Sequence, residues 1–124
     1  MSEEPTRFLE PIKRPLTDQE REVVVWLLEH SFKNTTDLLP QVERLTVASR
    51  CTCGCPTIDF ALDGEPVNRK GEQLISDWLA EVDGAEVGVM LFQTNGKLST
   101  LEVYSCAGSD KPFGLPSLES IKGY

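Results

Sequence analysis

Apolar positions in this chain follow two periods, one after the other. Between residues 17 and 32 they recur every three or four positions. Val24, Leu27, Leu28 and Ser31 share one stripe, with Val23 and Trp26 beside it. That pattern predicts a helix over 18–32 with one broad apolar face. Thr17-Asp18-Gln19-Glu20 supplies its start as a capping box, in which hydroxyl and carboxylate each satisfy the other residue's backbone amide. Leu16, just before the cap, is placed to staple against the neighbours of Glu20. Glu20, Arg21, Glu22 and Glu29 fall on the side expected to face water. Asn34-Thr35-Thr36-Asp37 reads as a turn and a second cap. A short helix over about 36–44 should follow through Leu38, Leu39, Val42 and Leu45, with Pro40 admissible in its first turn.

From residue 45 the period becomes two, as in a strand. Leu45, Val47 and Ser49 alternate with Thr46, Ala48 and Arg50. Ile58, Phe60 and Leu62 alternate with Thr57, Asp59 and Ala61. Cys53-Gly54 between them suits a hairpin connection. Pro56 donates no ladder bond, so the second strand begins there or lies at an edge. Residues 64–71 read as a polar loop. Residues 72–82 fit a helix face or a strand face; the strand is the reading adopted, because Asp83-Gly84 and the apolar run 87–92 follow as in a hairpin. Asn95-Gly96 is a second hairpin signal. The returning strand 97–104 should turn Leu101 and Val103 one way, and Leu98, Thr100, Glu102 and Tyr104 the other.

The two ends carry no clear period. Residues 1–15 hold three prolines and mixed charge. They are expected to form a largely irregular arm, pinned to the core by Phe8, Leu9 and Ile12. Residues 108–112 read as a loop, and the tail from Phe113 has enough apolar residues to pack back, with a turn of helix from Ser117. The picture is one α+β domain spanning 1–124: one main N-terminal helix on an antiparallel sheet of about five strands, mostly hairpin-connected.

Charge narrows the partners. The formal net charge is −8, which argues against nucleic acid, whose binding rests on Lys and Arg meeting phosphates. It argues equally against an anionic membrane surface. The longest uninterrupted apolar run, 23–28, is far short of the ~20 residues of a membrane span. The opening residues are acidic and lack an apolar signal core. Both points favour the cytoplasm, where thiols stay reduced and close-set cysteines suggest metal or reactivity before disulfides.

The unusual chemistry is concentrated at Arg50-Cys51-Thr52-Cys53-Gly54-Cys55-Pro56, three of the four cysteines lying within five residues. Four thiolates close a tetrahedral zinc site, so Cys51, Cys53, Cys55 and Cys106 form the candidate metal set. The spacing departs from the usual Cys-x₂₋₄-Cys pairs. Redox pairs want Cys-x-x-Cys at a helix N-terminus, which is missing here. The bland alternative is that the cysteines are small residues filling a tight turn. His30, the sole histidine, sits near the end of the first helix, where a capping or surface role outweighs a dyad with Cys51 or Cys55. Asp59 and Glu102 are strand carboxylates that would form an acid/base pair if their strands were adjacent; solvated outer-face carboxylates are the plainer reading. Trp26 and Trp78 read as core. No phosphate-binding glycine loop is present.

Residues 50–60 resemble a family of small bacterial proteins of unknown function. The resemblance continues in 87–92, 96–104, 113–116 and the opening 16–28. It implies a compact bacterial cytosolic domain and carries over no activity; its specific part is Cys-x-Cys-Gly-Cys-Pro. The function favoured by the sequence is a non-enzymatic binding domain with a protein partner. The alternative is a zinc-binding protein using Cys51, Cys53 and Cys55 with Cys106. An enzyme built on Asp59 and Glu102 ranks below both.

Overall fold

A computed structural model describes residues 9–108 and 111–122. An antiparallel sheet of seven strands organises it. The strands are β1 (Leu9–Pro15), β2 (Leu45–Cys51), β3 (Ile58–Leu62), β4 (Glu65–Pro66), β5 (Gln73–Val82), β6 (Ala85–Thr94) and β7 (Lys97–Ser105). Their order is β1-β2-β3-β7-β6-β5, with β4 pairing β3 off this path. Among the described residues one α-helix, α1 (Asp18–Glu29), packs on one face. The α+β reading therefore holds, with more sheet than about five strands.

The added strands come from two places. Residues 9–15 are a strand, not an irregular arm, paired with β2 from Leu9↔Cys51 to Pro15↔Thr46. Prolines are tolerated there because β1 is an edge strand. Ile12 packs against the core; Phe8 lies outside the described residues. Within the expected loop 64–71, β4 is joined to β3 through Asp63 and Gly64, both at positive φ, the backbone a two-residue hairpin demands. Asp83-Gly84 and Asn95-Gly96 adopt the same backbone. Residues 73–82 form a strand, as read. The segment expected as a helix over 36–44 is a 3₁₀ helix, Leu39–Arg44, with Pro40 in its first turn.

The capping box of α1 forms in full. The helix ends three residues earlier than its periodicity suggests, at Glu29. Glu20 is buried instead of wet: its carboxylate receives both terminal nitrogens of the Arg14 guanidinium at 2.8 and 2.9 Å and the Thr17 amide at 2.8 Å. Val23, Val24, Leu27 and Leu28 meet Val47, Ile58, Phe60, Val89, Leu91, Leu101 and Val103 in the core. Leu98 joins that cluster, against the expectation from simple alternation. The β6–β7 register slips between Phe92 and Gln93, leaving Ser99 as the extra residue of a bulge and reversing the side of what precedes it. No described helix is long and apolar enough to cross a membrane.

Candidate metal centre

The cysteine turn links β2 to β3 at one end of the sheet. Residues 52–57 leave the ladder and return to it. The Cys51 amide donates to the Thr57 carbonyl at 3.2 Å, closing the base of the turn. The buried Thr57 hydroxyl bolts that base to β7: it accepts from the Val103 amide at 3.0 Å and donates to the Val103 carbonyl at 3.1 Å. Gly54 stands at the bend with φ +99°, a conformation that glycine adopts at low cost. The returning tail clamps the turn from outside. The Phe113 amide donates to the Gly54 carbonyl at 3.2 Å, and Pro112 lies 2.9 Å from where a Gly54 side chain would begin.

This frame gathers three sulfurs. Cys51 Sγ is 3.0 Å from Cys53 Sγ, and Cys53 Sγ is 2.9 Å from Cys55 Sγ. All three lie within 4.8 Å of one another. The Cys55 amide donates to Cys53 Sγ at 3.3 Å. Cys53 Sγ thus lies within hydrogen-bond distance of both other sulfurs. Cys51 is buried, Cys55 half-buried and Cys53 exposed. Burial, then donation to Cys53, pushes the Cys51 thiol up to about 12. For Cys53 burial also raises the pKa, but hydrogen bonds from Cys51, Cys55 and the Cys55 amide outweigh it and hold the thiol below its ordinary value. A shallow recess of about 320 Å³ adjoins the turn, lined in part by Glu10, Arg50 and Thr52. Arg50 and Glu10 pair across it at 2.7 Å.

Convergent thiols of this kind can do one thing well. On losing their protons they present three soft ligands to one ion. Cys106 is not among the gathered sulfurs. It is exposed just beyond β7, its amide held by the Glu86 carbonyl at 3.0 Å.

Asp59 and Glu102 do lie on neighbouring strands, but Asp59 stands opposite Thr100 and Glu102 opposite Met90. Asp59 is 5% exposed, so it is not a solvated outer-face carboxylate. It accepts from the Ser49 hydroxyl at 2.8 Å and the Thr100 hydroxyl at 3.1 Å. Arg69, at 3.5 Å from Asp59 and 3.6 Å from Glu72, sits between the two carboxylates. Glu72 receives the hydroxyls of Ser99, at 2.8 Å, and Thr100. Arg69 came from the stretch 64–71 read as a polar loop, and Glu72 from the start of the stretch 72–82 read as a strand. Only their opposite charges three residues apart hinted at a joint role.

His30 caps α1 and stacks on Trp26, with ring centroids 3.8 Å apart, while Trp78 meets both rings edge-on. Its neighbours are thus two half-buried tryptophans and not a thiol. No protein-family model, curated protein or solved structure matches the chain.

Proposed function

We propose that the chain is a metal-binding domain in which Cys51, Cys53 and Cys55 hold one thiophilic ion, Zn²⁺ or Cu⁺. The observation that carries the reading is the convergence of three sulfurs from a five-residue turn clamped by Thr57 and Phe113. Cys53, exposed and acidified, is the entry ligand. Cys51 and Cys55 follow by releasing their protons to solvent, since metals bind the thiolate form. A reducing compartment such as the cytoplasm keeps all three available. Three sulfurs leave a fourth coordination position open to zinc, and Cys106 is not needed for the reading.

The test is metal uptake by the reduced apoprotein, read by elemental analysis and by competition with a chromophoric chelator. One equivalent of Zn²⁺ or Cu⁺ is expected, retained by Cys106→Ser and lost by Cys53→Ser. Uptake should weaken as pH falls, because protons compete for the sulfurs. Equal retention by Cys53→Ser and the wild type would sink the proposal.

A second reading, a protein-interaction domain, is favoured by Phe32. It is 63% exposed two residues beyond the His30 stack. Phe32→Ser should leave the melting temperature unchanged and remove captured partners. An identical capture profile would count against this reading.

A further inference from the structure

The sheet face opposite α1 carries a hollow across β1 to β4. It has a volume of about 600 Å³, within the ~300–1,000 Å³ typical of small-molecule sites. Its origin is in the sequence. Thr46, Ala48 and Ala61 contribute side chains too short to fill the face, and Pro11, Pro15 and Pro66 wall it. Ala48 is also the bulge residue. Two residues of β1, Ile12 and Lys13, stand against it alone, and it is skipped in the β2–β3 register. Such a bulge bends the strands and deepens the concavity. Ala61 is only 5% exposed although no described helix covers this face, which places it at the floor.

Charge decides what would enter. The chain has 20 acidic and 12 basic residues, yet among the described residues no acidic side chain lines the hollow. Its two charged lining residues are Lys13 and Arg14. Arg14 is already neutralised by Glu20 through both terminal nitrogens. Lys13 is exposed and makes no ion pair with any described carboxylate. Among the described residues the site thus offers an apolar trough with one ammonium at its rim that no carboxylate meets.

We propose that this hollow binds a small amphipathic carboxylate. The apolar body lies over Ala48, Ala61 and Pro66, and the anionic head meets Lys13. This binding is independent of the cysteine turn.

The probe is decanoate, with 1-decanol as its uncharged analogue, titrated into the ¹⁵N-labelled full chain and followed by amide shifts. Saturable one-to-one binding is expected, with the largest shifts at Lys13, Ala48 and Ala61. Lys13→Gln should weaken decanoate by roughly two- to fivefold, the range for an exposed ion pair, and leave decanol unchanged. Ala61→Phe fills the floor and should abolish both. Thr46→Phe closes the trough from a half-exposed position and should do the same if Ala61→Phe fails to fold. Absence of saturable shifts at Ala48 and Ala61 overturns the site. Equal decanoate affinity in Lys13→Gln overturns the assignment of an anionic ligand.

Discussion

Glu20 illustrates how much one side chain can be asked to do. As N3 of the capping box it accepts from the Thr17 amide, and the same carboxylate neutralises Arg14 on the adjoining strand. Burial opposes its ionised form, but the hydrogen bonds from Arg14 and Thr17 and the Arg14 charge outweigh that and hold its pKa below the usual carboxylate value. The sign follows. A depressed carboxyl contributes stability that is fully present above its unfolded pKa of about 4.3 and is lost as pH falls through the lower folded value. Thermal melts from pH 6 to pH 2 should therefore show the wild type losing stability below about pH 4. Glu20→Gln should be less stable at pH 7, by roughly 1–3 kcal/mol for a charge-assisted hydrogen-bond set, with the gap to wild type closing in acid. A gap that does not narrow in acid would refute this account. The capping box was legible in the sequence because its spacing is local. The burial was not, since it depends on Arg14, in a stretch whose prolines suggested no strand.

At the scale of elements, the sheet's irregularities fall into line. Pro11, Ser49, Asp59, Thr100, Phe92 and Leu74 are successive partners in one row across six strands. Registers slip beside that row at Ile12 and Lys13, Ala48, Ser99 and Ile75. Periodicity alone predicted strands but not bulges, because each bulge answers to its partner strand, not to its own sequence. Hairpins were easier to read: Asp-Gly and Asn-Gly adopt positive φ without help from distant residues. Away from the row the ladder is regular, and Gly88 shows what it requires. Gly88 pairs with Tyr104, whose ring lies over it; a Cβ at Gly88 would come within 2.2 Å of that ring. Gly88→Ala should cost about 1–2 kcal/mol, in the lower range for overpacking, because the clash is with the far end of a movable side chain. In the Tyr104→Ala background the same change should be nearly neutral. A double-mutant cycle by urea denaturation checks this, and additive costs would show that the ring is not the obstacle.

Across the whole molecule, the row through Asp59 is where the sheet divides. β3 pairs with β7 only at Ile58 and Asp59. Beyond that point β3 turns to its own hairpin: Ala61 and Leu62 pair with β4, and the Val67 amide donates to the Phe60 carbonyl at 3.0 Å. The segment leading to β5 then sets Arg69 and Glu72 against Asp59, Ser99 and Thr100. Strand alternation foretold the side of the sheet from which Asp59 projects, but took that side to be wet. Only a segment ten residues and more further along the chain covers it, and no local pattern records such a cover. The group joins both halves of the sheet by charge and hydroxyls where ladder bonds end. Removing one partner of a buried ionic group leaves the others uncompensated, so Asp59→Ala should destabilise by about 3–5 kcal/mol. Glu72→Gln should cost less, because that residue is less buried and its amide can still receive a hydroxyl. If the cluster is what holds the halves together, the two changes will couple, and amide exchange will accelerate at Phe60 and Val67 before it does in β6. Independent, additive losses with uniform exchange would instead assign the join to the apolar core beneath, through Ile58, Phe60 and Leu101.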